Sequence, residues 1–161
     1  ENIVLPRFDK LSVASGVVAT YIHPGAQLGV AVALANDTKP GDAALLELGK
    51  DIAMQIAAAD PKYINRTQVD PAHTAKEADI ARDRARNEGK PEKILDKIVE
   101  GRLAKFYEEV CLLEQPFIKD NALTITELIK KASAALGGPV EVTKFVRFKV
   151  GETAPAEEAA E

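Results

Sequence analysis

Residues 71–110 constrain the fold more than any other stretch, because nine basic and nine acidic side chains crowd around a thin apolar stripe. In the second half of this stretch Leu95, Val99, Leu103, Phe106 and Val110 recur every three or four residues, the period of one narrow helix seam. Asp70-Pro71 supplies a cap and a first-turn proline. Asn87-Glu88-Gly89-Lys90-Pro91 then interrupts the pattern, with Gly89 as a left-handed cap and Pro91 as the start of a second helix. So many charges are too many for a helix pair buried in a core. The pattern predicts an antiparallel coiled-coil hairpin that protrudes into solvent.

The flanking segments obey other periods. Val17–His23 and Leu28–Leu34 are β-rich runs joined through Pro24-Gly25, which predicts a β-hairpin. From Asp42 to Ala59, Leu45, Leu48, Ile52 and Ile56 repeat at helical spacing, with Pro40 ahead and Asp60-Pro61 behind. Beyond the charged stretch the chain returns through Leu112–Ile118 to a helix near Thr126–Leu136, stopped by Gly137-Gly138. In Val140–Val150, residues Val140, Val142, Val146, Phe148 and Val150 share one parity, with Lys144 the exception, which predicts a long strand with one buried face.

The fold class is therefore α+β, a small antiparallel sheet packed with helices plus the protruding coiled-coil hairpin. Residues 1–70 and 111–151 form a discontinuous core subdomain, 71–110 the hairpin, and 152–161 a small-residue acidic tail expected to be disordered. The first residues, from Asn2 to Phe8, read as the middle of a strand. There Ile3, Leu5 and Phe8 keep the spacing of Val140, Val142 and Phe145, either by chance between amphipathic strands or as the closing strand of a related, preceding subdomain. With Glu1 in place of Met, the chain reads as a processed or truncated piece.

Composition narrows the function classes. Of 25 acidic residues, Glu152, Glu157, Glu158 and Glu161 lie at the end, so residues 1–150 balance at 21 of each sign. A nucleic-acid binder gathers basic excess on one face, and none is visible here. No apolar run approaches the roughly 20 residues that span a bilayer, so no membrane role is expected. A single Cys111 excludes an internal disulfide and suits a reducing compartment or a protein that never needed one. As a nucleophile it needs a base, yet His23 falls at a strand turn and His73 on an outer helix, so a buried, inert thiol is expected. No catalytic, metal-ligating or cofactor-binding set emerges, and neither a Gly-rich phosphate loop nor a paired-histidine metal motif is present.

Several stretches in series resemble the elongation factor Ts family. They are Tyr21-Ile22-His23 with Gly25 and Leu28-Gly29-Val30, Asp51-Ile52-Ala53-Met54-Gln55-Ile56-Ala57-Ala58, and Asn87-Glu88-Gly89-Lys90-Pro91. Three more follow: Lys97-Ile98-Val99-Glu100-Gly101-Arg102-Leu103, Leu112-Leu113-Glu114-Gln115-Pro116-Phe117 and Phe145-Val146-Arg147-Phe148. The resemblance implies the carboxyl-terminal part of a guanine-nucleotide exchange factor, without bond chemistry of its own, whose partner is elongation factor Tu. It also implies an α+β subdomain interrupted by a coiled-coil hairpin. Two family features are not found in this sequence, an amino-terminal helical domain and the Thr-Asp-Phe-Val element inserted beside the partner's nucleotide site. Ala35-Asn36-Asp37-Thr38 stands where a copy could sit, and Asn36-Asp37 reads as a turn. This part is then expected to anchor the partner through its distal β-barrel domain.

The resemblance places partner contact at His23, Pro24, Gly25 and Gln27, the alternative for His23 being a solvent-facing turn histidine. Gln115, Pro116 and Phe117 either shape the contact surface or turn the chain back to the sheet, and the second role is favoured. Gly101 in the second long helix fits close helix approach. A different class remains open, a non-enzymatic coiled-coil module that dimerises or docks on a ribosome-like assembly, and self-association is left open with it. The expected compartment is a bacterial cytoplasm, with plastid stroma or mitochondrial matrix as alternatives.

Overall fold

The computed structural model describes residues 3, 5 and 7–152. The predicted acidic tail beyond residue 152, and residues 1, 2, 4 and 6 of the predicted first strand, lie outside them. The chain divides into two units, residues 1–57 with 132–161, and residues 58–131.

The first unit is built on a three-stranded antiparallel sheet in the order β1-β2-β5, with β1 at Gly16–Ile22, β2 at Leu28–Ala35 and β5 at Glu141–Lys149. Helix α1, Ala43–Ala59, lays Leu45, Leu48, Ile52 and Ile56 against one sheet face, and all four are buried. Each such side chain contributes about 1.5–3 kcal/mol by leaving water. Gly49 sets the distance: a Cβ there would lie 2.6 Å from Ala19 Cβ and 3.5 Å from Leu34 Cδ1. The helix backbone rests directly on the strand.

A buried amide closes this unit across a long stretch of sequence. Asn36, 1 % exposed, donates from Nδ2 to the carbonyls of Gly138 (3.2 Å) and Pro139 (2.9 Å), and its Oδ1 accepts from Lys39 N–H at 2.7 Å. At Gly138 any Cβ would fall 1.9 Å from Thr38 Oγ1, so only glycine lets the two segments meet. The segment read as a turn is thus also a clasp.

Two strand expectations need correction. The β2–β5 register shifts between Ala33 and Leu34, pairing Ala33 with Lys144 and Leu34 with Val142, so Thr143 is an extra residue whose Oγ1 donates to Ala33 O at 3.3 Å. An extra residue reverses the parity of every side chain after it. Val142 stays on the α1 face and is buried, and Phe145 and Arg147 join it opposite buried Val32 and Val30. Val146 and Phe148 turn to the other face, where Phe148 is 37 % exposed, and Val150 beyond the strand is 71 % exposed. The predicted single buried face is therefore split. Nor do the described first residues join a sheet: Ile3, Leu5 and Phe8 are exposed, and residues 3, 5 and 7–13 enter no ladder among the described residues.

The second unit carries α2, Pro71–Asn87, and α3, Glu92–Val110. Asp70 Oδ1 caps α2 by accepting from Ala72 N–H at 2.8 Å, and Gly89 turns the chain at φ 74°. The helices run antiparallel, bridged by Arg82–Asp96 at 2.8 Å and Arg86–Glu92 at 2.9 Å, with Tyr107 Oη near Thr74 Oγ1. Their fully buried positions are few, Ala81 and Ala85 against Leu95 and Val99. After α3 a 3₁₀ turn at Leu112–Glu114 leads into a short hairpin, β3 at Pro116–Phe117 and β4 at Asp120–Thr124. No period marked this pair, since two residues are too few to show one. Helix α4, Ile125–Leu136, opens with a capping box: Thr124 N–H donates to Glu127 Oε2 at 2.8 Å, and Glu127 N–H to Thr124 Oγ1 at 3.2 Å. The Thr124 N–H, then its hydroxyl, hold the Glu127 carboxyl below its usual range.

Helix propensity favours Gly49→Ala by about 1 kcal/mol, whereas overpacking costs about 1–3 kcal/mol. Urea unfolding should show Gly49→Ala destabilised, with stability partly restored by adding Ala19→Gly; a Gly49→Ala variant more stable than the parent contradicts the close approach. Asn36→Ala removes three hydrogen bonds to part-buried backbone groups and should cost about 1–3 kcal/mol in the same measurement.

Candidate partner-binding surface

The β1–β2 turn gathers four of the residues singled out in the sequence. Ala26 N–H donates to His23 O at 2.9 Å, closing a four-residue turn with Pro24 and Gly25 at its centre. Below it His23 N–H donates to Leu28 O at 2.9 Å. Proline fixes φ at the first central position, and Gly25 takes φ 90° at the second, where an L side chain would be strained. His23, Pro24, Gly25, Ala26 and Gln27 are all exposed. The imidazole is held rather than free: Tyr21 Oη lies 3.1 Å from His23 Nδ1, and the two rings meet edge to face at 6.0 Å.

Beside the turn lies a surface the sequence did not reveal. The sheet face opposite α1 carries Ile22, Ala31, Val146 and Phe148, and with Gln27 from the turn these line an open groove of about 610 Å³. Ile22 is 62 % exposed. The Arg7 guanidinium stacks 4.6 Å from the Phe148 ring centre and pairs with Glu152 at 3.6 Å, giving one end of the groove a charged edge. Parity alone assigned Val146 and Phe148 to the buried face, and the bulge at Thr143 brought them out.

The remaining three candidates belong to the second unit. Gln115 and Phe117 are buried. Gln115 Nε2 donates to Glu109 O at 3.0 Å, its N–H donates to Leu112 O, and its carbonyl accepts from Ile125 N–H. These bonds fix the return of the chain from α3 to β3, and of the three only Pro116 is exposed, followed by Ile118 at the β3–β4 turn. Close by, Arg66 binds Glu114 through two nitrogens, Nη2 at 2.6 Å, and stacks 4.2 Å over Tyr107.

Cys111 is fully buried at the end of α3, where burial, then the Glu114 carboxylate, push its thiol above the usual range. A neutral, shielded sulfur is a poor nucleophile. Among the described residues no three His, Cys, Asp or Glu side chains gather to hold a metal ion, and no helix is long and apolar enough to cross a membrane.

Fold and surface together define an α+β scaffold that presents a pre-formed β-turn beside an apolar sheet face. More specifically, the chain belongs to the elongation factor Ts family, whose model, described as Elongation factor TS, matches residues 1–152. It is 51 % identical over 148 residues to Elongation factor Ts of Solibacter usitatus, an alignment covering 91 % of this chain and 70 % of that protein. Identity is 47 % over 152 residues with the Clostridioides difficile protein of the same name, covering 94 % of this chain and 49 % of the relative. With that of Nitratidesulfovibrio vulgaris strain DP4 it is 43 % over 164 residues, covering the whole chain and 57 % of the relative. The chain thus spans about half to two thirds of the relatives it matches.

The burial of Cys111 has a direct readout. An aromatic disulfide reagent should label the native protein only at the rate at which it opens, and label it at once in denaturant; immediate labelling of the native chain contradicts a shielded thiol.

Proposed function

We propose that this chain is a partner-anchoring part of a guanine-nucleotide exchange factor that binds elongation factor Tu and promotes GDP release during protein synthesis. The observation that carries the reading is the family match over residues 1–152. In this reading the β1–β2 turn, with His23, Pro24, Gly25 and Gln27, is one contact, and the exposed Pro116 of the second unit is a separate one. Gln115 and Phe117 act by holding Pro116 in place.

Exchange of this kind needs no bond chemistry. A factor that binds the nucleotide-free partner more tightly than the nucleotide-bound one weakens nucleotide affinity by the same ratio, a coupling of typically about 1–3 kcal/mol. A rigid turn suits the task, because ordering a loop on binding consumes affinity and His23 is already held by Tyr21. An anchor adds binding energy away from the nucleotide and keeps an exchange element at high local concentration. The Thr-Asp-Phe-Val element is not in this sequence. On this reading the chain grips elongation factor Tu yet leaves GDP release slow by itself.

Titrating the chain onto nucleotide-free elongation factor Tu should give measurable binding, and His23→Ala with Gln27→Ala should weaken it by about 5-fold or more, on the order of 1 kcal/mol. In a fluorescent-GDP release assay the chain alone should leave the rate near its unassisted value. Release as fast as with the intact factor, or no binding at all, overturns the anchor.

A further inference from the structure

The root of the α2–α3 pair is held first by backbone bonds, and these gather at the end of α3. Lys62 N–H and Tyr63 N–H both donate to Val110 O, at 2.9 and 3.0 Å, while Leu112 N–H donates to Tyr63 O at 2.9 Å and Leu113 N–H to Ile64 O at 3.1 Å. A short row of bonds at one end of a helix fixes where that end lies. It resists tilting only weakly, because a tilt about the row changes these distances little and moves the far end most. The Gly89 turn lies about 30 Å up the pair, so a tilt of about 10° displaces it by about 5 Å.

Side-chain contacts above the row oppose such a tilt, and they converge on Arg66. This residue opens the 3₁₀ turn Arg66–Gln68, between the bonded row and α2. Its guanidinium lies 4.2 Å over the ring of Tyr107, three residues up α3 from Val110, and Tyr107 Oη lies 3.5 Å from Thr74 Oγ1 on α2. The edge of the same guanidinium donates from Nε and Nη2 to the two oxygens of Glu114, with Nη2 at 2.6 Å. Glu114 ends the turn that leads into Pro116, and that turn is itself anchored, since Leu113 O accepts from Thr126 Oγ1 at 2.6 Å. One side chain thus meets α3 with its face and the lead into β3 with its edge. Only a planar, delocalised cation does both; lysine keeps the charge and loses the fork and the stacking surface. Arg66 is exposed and Glu114 half-buried, and ion pairs so placed add little to folding stability.

We infer that Arg66 is a positioning residue, which locks the root of the helix pair to the lead into Pro116 and so fixes the angle between the pair and the β3–β4 hairpin. Its bearing on elongation factor Tu rests on the contact at Pro116 proposed above, whereas the lock rests on these contacts alone.

Spin labels at Lys90→Cys and Asn121→Cys, in the 161-residue chain with Cys111→Ala, report that angle as a distance in double electron–electron resonance. The distribution should be one narrow peak. Arg66→Met and Arg66→Lys should each broaden it at least about 2-fold while leaving the urea midpoint near that of the parent. A lowered midpoint with an unchanged distribution makes Arg66 a stabilising residue only and overturns the lock, as does a distribution already broad in the parent. Should Arg66→Met unfold the chain, Glu114→Gln takes its place and should broaden the peak likewise. On nucleotide-free elongation factor Tu, Arg66→Met should weaken binding about 5-fold, and this loss should not add to that of Pro116→Ala, because both act through one contact. A parent chain that fails to bind overturns the Pro116 contact, and the label distances still decide the lock. Binding by the parent that Arg66→Met leaves unchanged overturns the positioning role.

Discussion

The sheet of the first unit depends on one long-range closure, the pairing of β2 with β5 across more than a hundred residues of intervening chain. Bringing such distant segments together costs loop-closure entropy, which grows slowly with length but must be offset before the ladder forms. The Asn36 side chain supplies a fixed point at the end of that ladder. Its amide satisfies two backbone carbonyls at Gly138 and Pro139 and, through Oδ1, the N–H of Lys39, so every polar group drawn into the contact has a partner. Gly138 completes the junction because Thr38 occupies the space a side chain would need. Held at that end, β5 meets β2 in a single register.

From that register follows the character of both sheet faces. The extra residue at Thr143 sends Val142 into the core beside α1 and turns Val146 and Phe148 outward. Large exposed apolar faces mark contact surfaces. The turn at His23–Gln27 joins β1 to β2, so its position is coupled to the face beside it. That face would not carry Val146 and Phe148 were the β2–β5 ladder regular.

The α2–α3 pair follows a different economy. Alanines at Ala81 and Ala85 allow the helices to meet closely over a narrow strip, and the remaining stability comes from caps, the turn at Gly89 and cross-helix ion pairs such as Arg82–Asp96. Exposed pairs of this kind contribute little singly.

Much of this was legible in the sequence. Both ends of the β1–β2 hairpin, the apolar stripe of α1, the proline and glycine punctuation of α2 and α3, and the series of stretches that carry the family resemblance are local signals, written within a few residues of where they act. Three features were not. The bulge at Thr143 inverts the parity of Val146 and Phe148, and only the pairing with β2 shows it, because a strand's own alternation carries no record of its partner's register. For Gln115 and Phe117 the role of turning the chain back was the favoured reading, but the bonds of Gln115 to Glu109, Leu112 and Ile125 that fix this return are not a local signal. Asn36 read as a turn former, and its second role exists only once Gly138 and Pro139 arrive beside it. The sequence by itself therefore determined most of the elements, the Asp70 and Gly89 punctuation of the helix pair, and the family. The tertiary structure alone decided which faces are dry and which side chains meet, because burial and long-range hydrogen bonds are properties of pairs of segments and belong to neither segment alone.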